Sequence, residues 1–85
     1  MAQGRIVFVS RNQGMIVVHH EDGFTVVELL GSEGEFQNGD VVKGDWDELG
    51  SEPIFESDKE HDAYFQGTWA TDTVAISMAR NNGGG

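Results

Sequence analysis

The chain is 85 residues long and carries fifteen acidic residues against five basic ones, a formal charge of −10. That length allows one domain, and a domain of this size buries only about 60% of the surface its unfolded form exposes, so the core is small. There is no cysteine, which excludes disulfides and thiolate metal sites and leaves apolar packing and a well-formed sheet as the sources of stability.

No basic, apolar, small-residue leader occupies Met1 to Ser10, and no apolar run approaches the roughly 18 residues of a membrane span. The expectation is a soluble, cytoplasmic domain over residues 1–80, a disordered tail at 81–85, and no membrane partner. Charge is unevenly spread. Residues 1–20 hold Arg5 and Arg11 and no acid, whereas residues 21–62 hold fourteen acids against Lys43 and Lys59.

In chain order, Gly4 to Arg11 reads as a strand in which Ile6, Phe8 and Ser10 share one face and Arg5, Val7, Val9 and Arg11 the other. Asn12, Gln13 and Gly14 supply a turn, and Met15 to His20, rich in β-branched residues, is a second strand. Asp22-Gly23 is a strong hairpin signal, and the third strand is Phe24 to Leu30. Gly31 to Glu35 is a polar loop. Asn38-Gly39 marks another turn before a fourth strand, Val41 to Trp46, in which Gly44 predicts a bulge or a sharp bend.

Pro53 limits Ile54-Phe55 to an edge or to the start of a strand, because it has no amide proton to donate. Glu56 to Asp62 reads as a solvated loop and Ala63 to Trp69 as the last strand, with Phe65 and Trp69 in the core. Thr71-Asp72 is a plausible cap for a short helix through Val74, Ala75, Met78 and Ala79, although Val74, Ile76 and Met78 also fit strand alternation. These elements predict an all-β fold, a small barrel of five or six strands with a short C-terminal helix.

Gly4-Arg5-Ile6-Val7-Phe8, Gly14-Met15-Ile16-Val17, Asp22-Gly23 and Gly39-Asp40-Val41-Val42 together resemble the layout of cold-shock domains and their OB-fold relatives, over roughly residues 4 to 46. The resemblance implies an OB-like barrel whose second and third strands carry aromatics that stack on single-stranded bases. The matching segments, Gln13 to Val17 and Thr25 to Leu29, hold no aromatic, and Glu28 puts a negative charge where a base would approach. Stacking is worth about 1–3 kcal/mol per base, so most of that affinity would be missing. Phosphate neutralisation would fall to Arg5 and Arg11.

Other chemistry is sparse. His19, His20 and His61 lie near acids, but adjacent strand residues point to opposite faces, so His19 and His20 cannot share an ion unless the strand breaks; no metal site and no cofactor are expected. Without a cysteine nucleophile, a nucleophile elbow or a phosphate cradle, no enzyme is expected either. The favoured reading is a binding module for a protein with a basic surface, using Asp45, Asp47, Glu48 and Glu52 as an acidic face and Trp46, Ile54 or Phe55 as an apolar anchor. The rival reading is a weak single-stranded nucleic-acid binder using Arg5, Phe8, Arg11 and His19, which the net charge disfavours.

Overall fold

The computed structural model describes residues 2–10, 13–31 and 36–83. β1 (Ala2–Ser10), β2 (Met15–His20) and β3 (Gly23–Leu29) form one antiparallel meander, β4 (Val41–Gly44), β5 (Gly50–Glu56) and β6 (Lys59–Trp69) form a second, and α1 (Asp72–Gly83) follows. The meanders close on each other in the order β1-β2-β3-β6-β5-β4. β1 pairs antiparallel with β4, and β3 with β6, which closes the six strands into a barrel.

Closure is thinnest between β4 and β5, where Lys43 opposite Phe55 is the one bridge. That seam explains how Pro53 sits in mid-strand. Asp62 turns its carbonyl to the Leu30 amide (3.1 Å) on the β3 side, so Pro53, paired opposite Asp62, turns its nitrogen away from β6 toward β4. The missing amide proton falls where few ladder bonds exist.

A β-bulge shapes β1. Ile6 pairs with Val18 and Phe8 with Val17, leaving Val7 unmatched and reversing the alternation beyond it. Ile6 and Val9 therefore pack inside the barrel, while Val7 and Phe8 pack outside. The single face expected for Ile6, Phe8 and Ser10 is corrected by this extra residue.

The interior holds Ile6, Ile16, Val18, Val27, Leu29, Phe36, Val42, Trp46, Ile54, Ala63 and Phe65, all buried. A second cluster lies on the outside of β2 and β3, where Met15, Val17 and Val26 meet Ala75 and Ala79 of α1. β2 is thus buried on both faces from Met15 to Val18. The helix starts as its sequence predicts: Thr71 caps it, its carbonyl accepting the Ala75 amide (3.2 Å) and its hydroxyl oxygen the Val74 amide (3.4 Å). Burial of Ala75 and Ala79, four apart, settles the helix over the strand alternative, because strand neighbours would alternate. It continues to Gly83, into the segment expected to be a tail.

Two further expectations are resolved. Lys59 to Asp62 belongs to β6, with His61 turned inward and Glu60 and Asp62 outward, so only Ser57-Asp58 remains a turn. Of the bulge or sharp bend expected at Gly44 the structure has the bend: β4 ends there and the chain turns directly after it. The residue is glycine because an added Cβ would lie 3.0 Å from the Trp46 ring.

Candidate functional site: an acidic cleft at one end of the barrel

Past Gly44 the chain turns sharply, the Glu48 amide donating to the Asp45 carbonyl (3.0 Å), and this folds Trp46 back over the open end of the barrel. The indole lies between the His20 ring (centroids 5.4 Å apart) and the Phe65 ring (5.5 Å), and its Nε1 donates to the Ala2 carbonyl at 2.9 Å. Burying so large a ring lets the flanking acids face out. Asp45, Asp47, Glu48 and Leu49 are all exposed.

The β2–β3 turn brings Asp22 to the same place. Gly23 allows it: its φ of +136° suits glycine, and a Cβ there would meet the Trp69 carbonyl at 2.6 Å. Asp22, Trp46, Asp47, Leu49 and Thr68 line a cleft of about 410 Å³. A smaller hollow of about 270 Å³ shares Asp22, Trp46 and Asp47 with it and adds Ala2, Gly44 and Asp45. Leu49 is 69% exposed beside these carboxylates, an apolar residue with nothing of its own chain over most of its surface.

Beneath the cleft runs a directed chain of hydrogen bonds. The Asp22 amide donates to His20 Nδ1 (3.3 Å), so the neutral ring carries its proton on Nε2, which donates to Thr25 Oγ1 (2.6 Å). At the far end the Thr68 hydroxyl donates to the Trp46 carbonyl (3.2 Å), so across the 2.7 Å contact with Thr25 it can only accept. Thr25 must then donate to Thr68 and accept from His20. Both ends of the chain dictate the same tautomer. Burial lowers the His20 pKa from 6.5, against the pull of the Asp22 carboxylate; His19 lowers it further and Glu21 raises it.

The structure gathers only part of the residues expected at an acidic binding face. Asp45, Asp47 and Glu48 come together on the β4–β5 loop, with Trp46 as a buried floor. Ile54 is fully buried in the interior, so it cannot act as an exposed anchor; strand alternation sends it inward opposite His61. Phe55 is half-buried at the far end of β5, paired with Lys43 and Glu60, and Glu52 lines a different, outer groove with Glu60 and Asp62. Asp22, Leu49 and Thr68 were not singled out in the sequence as site residues. Leu49 did leave a trace, as an isolated apolar residue after Asp45, Asp47 and Glu48.

The residues of the nucleic-acid reading are dispersed. Arg5 is exposed, but its Nη1 donates to the Gly39 carbonyl (3.0 Å). Phe8 is half-buried in the cluster under α1, with the Arg80 guanidinium 5.4 Å above its ring. His19 already stacks on Phe24, centroids 4.3 Å apart and planes within 9°. Arg11 lies outside the described residues. Among the described residues no three His, Asp or Glu side chains converge as a metal site, and no helix is long and apolar enough to cross a membrane. Comparison with protein families, with curated proteins and with solved structures found no match to this chain.

Proposed function

We propose that this barrel is a small acidic binding module that engages a protein with a basic surface through the cleft between the β2–β3 turn and the β4–β5 loop. The observation that carries the reading is Leu49, largely exposed in a cleft lined by Asp22 and Asp47 and floored by the Trp46 ring. Such a site suits a lysine or arginine side chain, whose aliphatic stem packs on leucine and indole while its cation meets the carboxylates. The net charge of −10 would speed encounter with a basic partner, and the apolar floor would set residence. The protein acts by binding, not by catalysis, and the cold-shock-like part of the reading is kept as a likeness of shape.

Base stacking on the outer face of β1 to β3 has less support, because α1 packs on Met15, Val17 and Val26 there. The test of the favoured reading is affinity capture from lysate, comparing wild type with the charge reversal Asp45→Lys/Asp47→Lys and, separately, with Leu49→Ser. Both variants should lose the same basic proteins; recovery of an identical set by all three would sink the reading. Fluorescence anisotropy with labelled single-stranded DNA and RNA at low salt decides the rival, which requires binding that weakens as salt rises.

A further inference from the structure

We propose that His20 is a proton-sensitive latch on the acidic cleft: the neutral ring holds the Asp22 turn at the cleft's edge, and protonation releases it. The inference rests on the cleft being the binding site. Its geometry is independent of that assignment.

Three features of the relay carry it. First, the neutral ring is held at both nitrogens, accepting from the Asp22 amide at Nδ1 and donating from Nε2 to Thr25, a residue with no exposure at all. Second, the ends of the relay, Asp22 and Trp46, both line the cleft. Third, the two bonds respond differently to a proton. The proton would add at Nδ1, the only nitrogen with a free lone pair, and would there confront the Asp22 N–H, donor against donor. The Nε2–H to Thr25 bond survives, so the ring stays seated against Trp46 and the turn must yield instead. As it yields, the Asp22 carboxylate, which favours the charged ring more strongly than Glu21 does, is the acceptor for the new N–H, and turning inward to accept it takes one negative group off the cleft.

The charges around the ring fit a switch. Asp22 and Glu21 on the β2–β3 turn favour the imidazolium, His19 on β2 opposes it, and burial opposes it most. Across the cleft, Asp45 and Asp47 on the β4–β5 loop share its lining with Asp22. β6 contributes the uncharged Thr68. Acidification below pH 6.5 would therefore weaken the cleft by withdrawing a carboxylate from it as His20 takes up its proton.

The experiment follows the assigned histidine rings, the Asp22 amide and the Trp46 indole by NMR from pH 7.5 to 5, in the full chain and in His20→Gln. Glutamine can accept from Asp22 and donate to Thr25 but cannot take up the proton. Wild type should show the Nε2–H tautomer at pH 7.5, and the Asp22 and Trp46 signals should then move with the His20 midpoint; in His20→Gln that movement should be absent. A second arm measures binding of a pentalysine peptide, which should weaken about fivefold in wild type as His20 passes from neutral to protonated, the worth of one exposed ion pair, and less in the variant.

An Nδ1–H tautomer at neutral pH, or an Asp22 amide that stays still while His20 titrates, overturns the latch whatever the peptide does. If Asp22 follows His20 but pentalysine binds at no pH, the latch stands and the assignment of the cleft falls. Should His20→Gln fail to fold, the wild-type titration alone decides.

Discussion

Gly44→Ala sets two known effects against each other. An alanine replacing a strand glycine normally stabilises by about 0.4–1 kcal/mol, through the lower entropy of the unfolded chain, where the native backbone tolerates it. At Gly44 the new Cβ would lie 3.0 Å from Trp46 Cη2 and Cζ3 and 3.3 Å from Phe65 Cζ, inside ordinary contact distance. Trp46 cannot easily retreat, being stacked between His20 and Phe65 and tied through Nε1 to the Ala2 carbonyl. Overpacking of this kind costs about 1–3 kcal/mol, so the net effect is a loss of roughly 0.5–2 kcal/mol. Trp46→Phe removes the outer ring atoms that the Cβ would strike. In that background Gly44→Ala should cost at least about 0.5 kcal/mol less than in wild type, because the entropic gain then opposes only the 3.3 Å contact with Phe65. Urea unfolding followed by far-UV circular dichroism measures all four corners of the cycle, and a Gly44→Ala variant as stable as wild type would refute the wedged position of Trp46.

Three other outcomes are expected. The lowered His20 pKa means that below pH 6.5 the unfolded chain takes up a proton that the folded form refuses, so stability is complete above 6.5 and is lost as pH falls from there toward the folded pKa; thermal melts from pH 8 to 5 should show that decline, and His20→Gln should flatten it. His61→Leu removes a buried Nε2 that has no hydrogen-bond partner among the described residues, with Glu56 Oε1 4.0 Å away; the midpoint of thermal unfolding should rise by a few degrees, corresponding to about 1 kcal/mol, and a fall would mean that the nitrogen is satisfied. Ala79→Glu places a carboxylate against Met15 and Val17, so α1 should undock, raising binding of a hydrophobic dye while the far-UV strand signal persists; unchanged dye binding would contradict α1 as the cover of that face.

The meander of β1 to β3 was legible because its information is local: Asp22-Gly23 sets a tight turn and β-branched residues fill Met15 to Val18. What escaped is set by distant partners. Apolar residues on both faces of β1 left its inner side open, since Ile6 and Val9 serve the interior while Val7 and Phe8 serve α1, and no nearby residue announces the bulge between them. Phe36 follows a polar loop yet has no exposure, and Lys59 to Asp62 hid a strand because its outward positions are charged. Asp45, Asp47 and Glu48 could be recognised as an acidic group from adjacency alone. Asp22 and Thr68 join them through barrel closure, and Ile54 leaves the site because the same closure encloses it.

The two meanders also constrain how the chain can be assembled. Each provides the other with both neighbours that its outer strands lack, β4 for β1 and β6 for β3. Residues 2–29 alone would be a sheet with two open edges, and residues 41–69 another, each inclined to pair with whatever strand is at hand. The barrel is therefore a lock between halves, made by contacts distant in sequence, and a chain interrupted between β3 and β4 should regain its structure only when both pieces are present together.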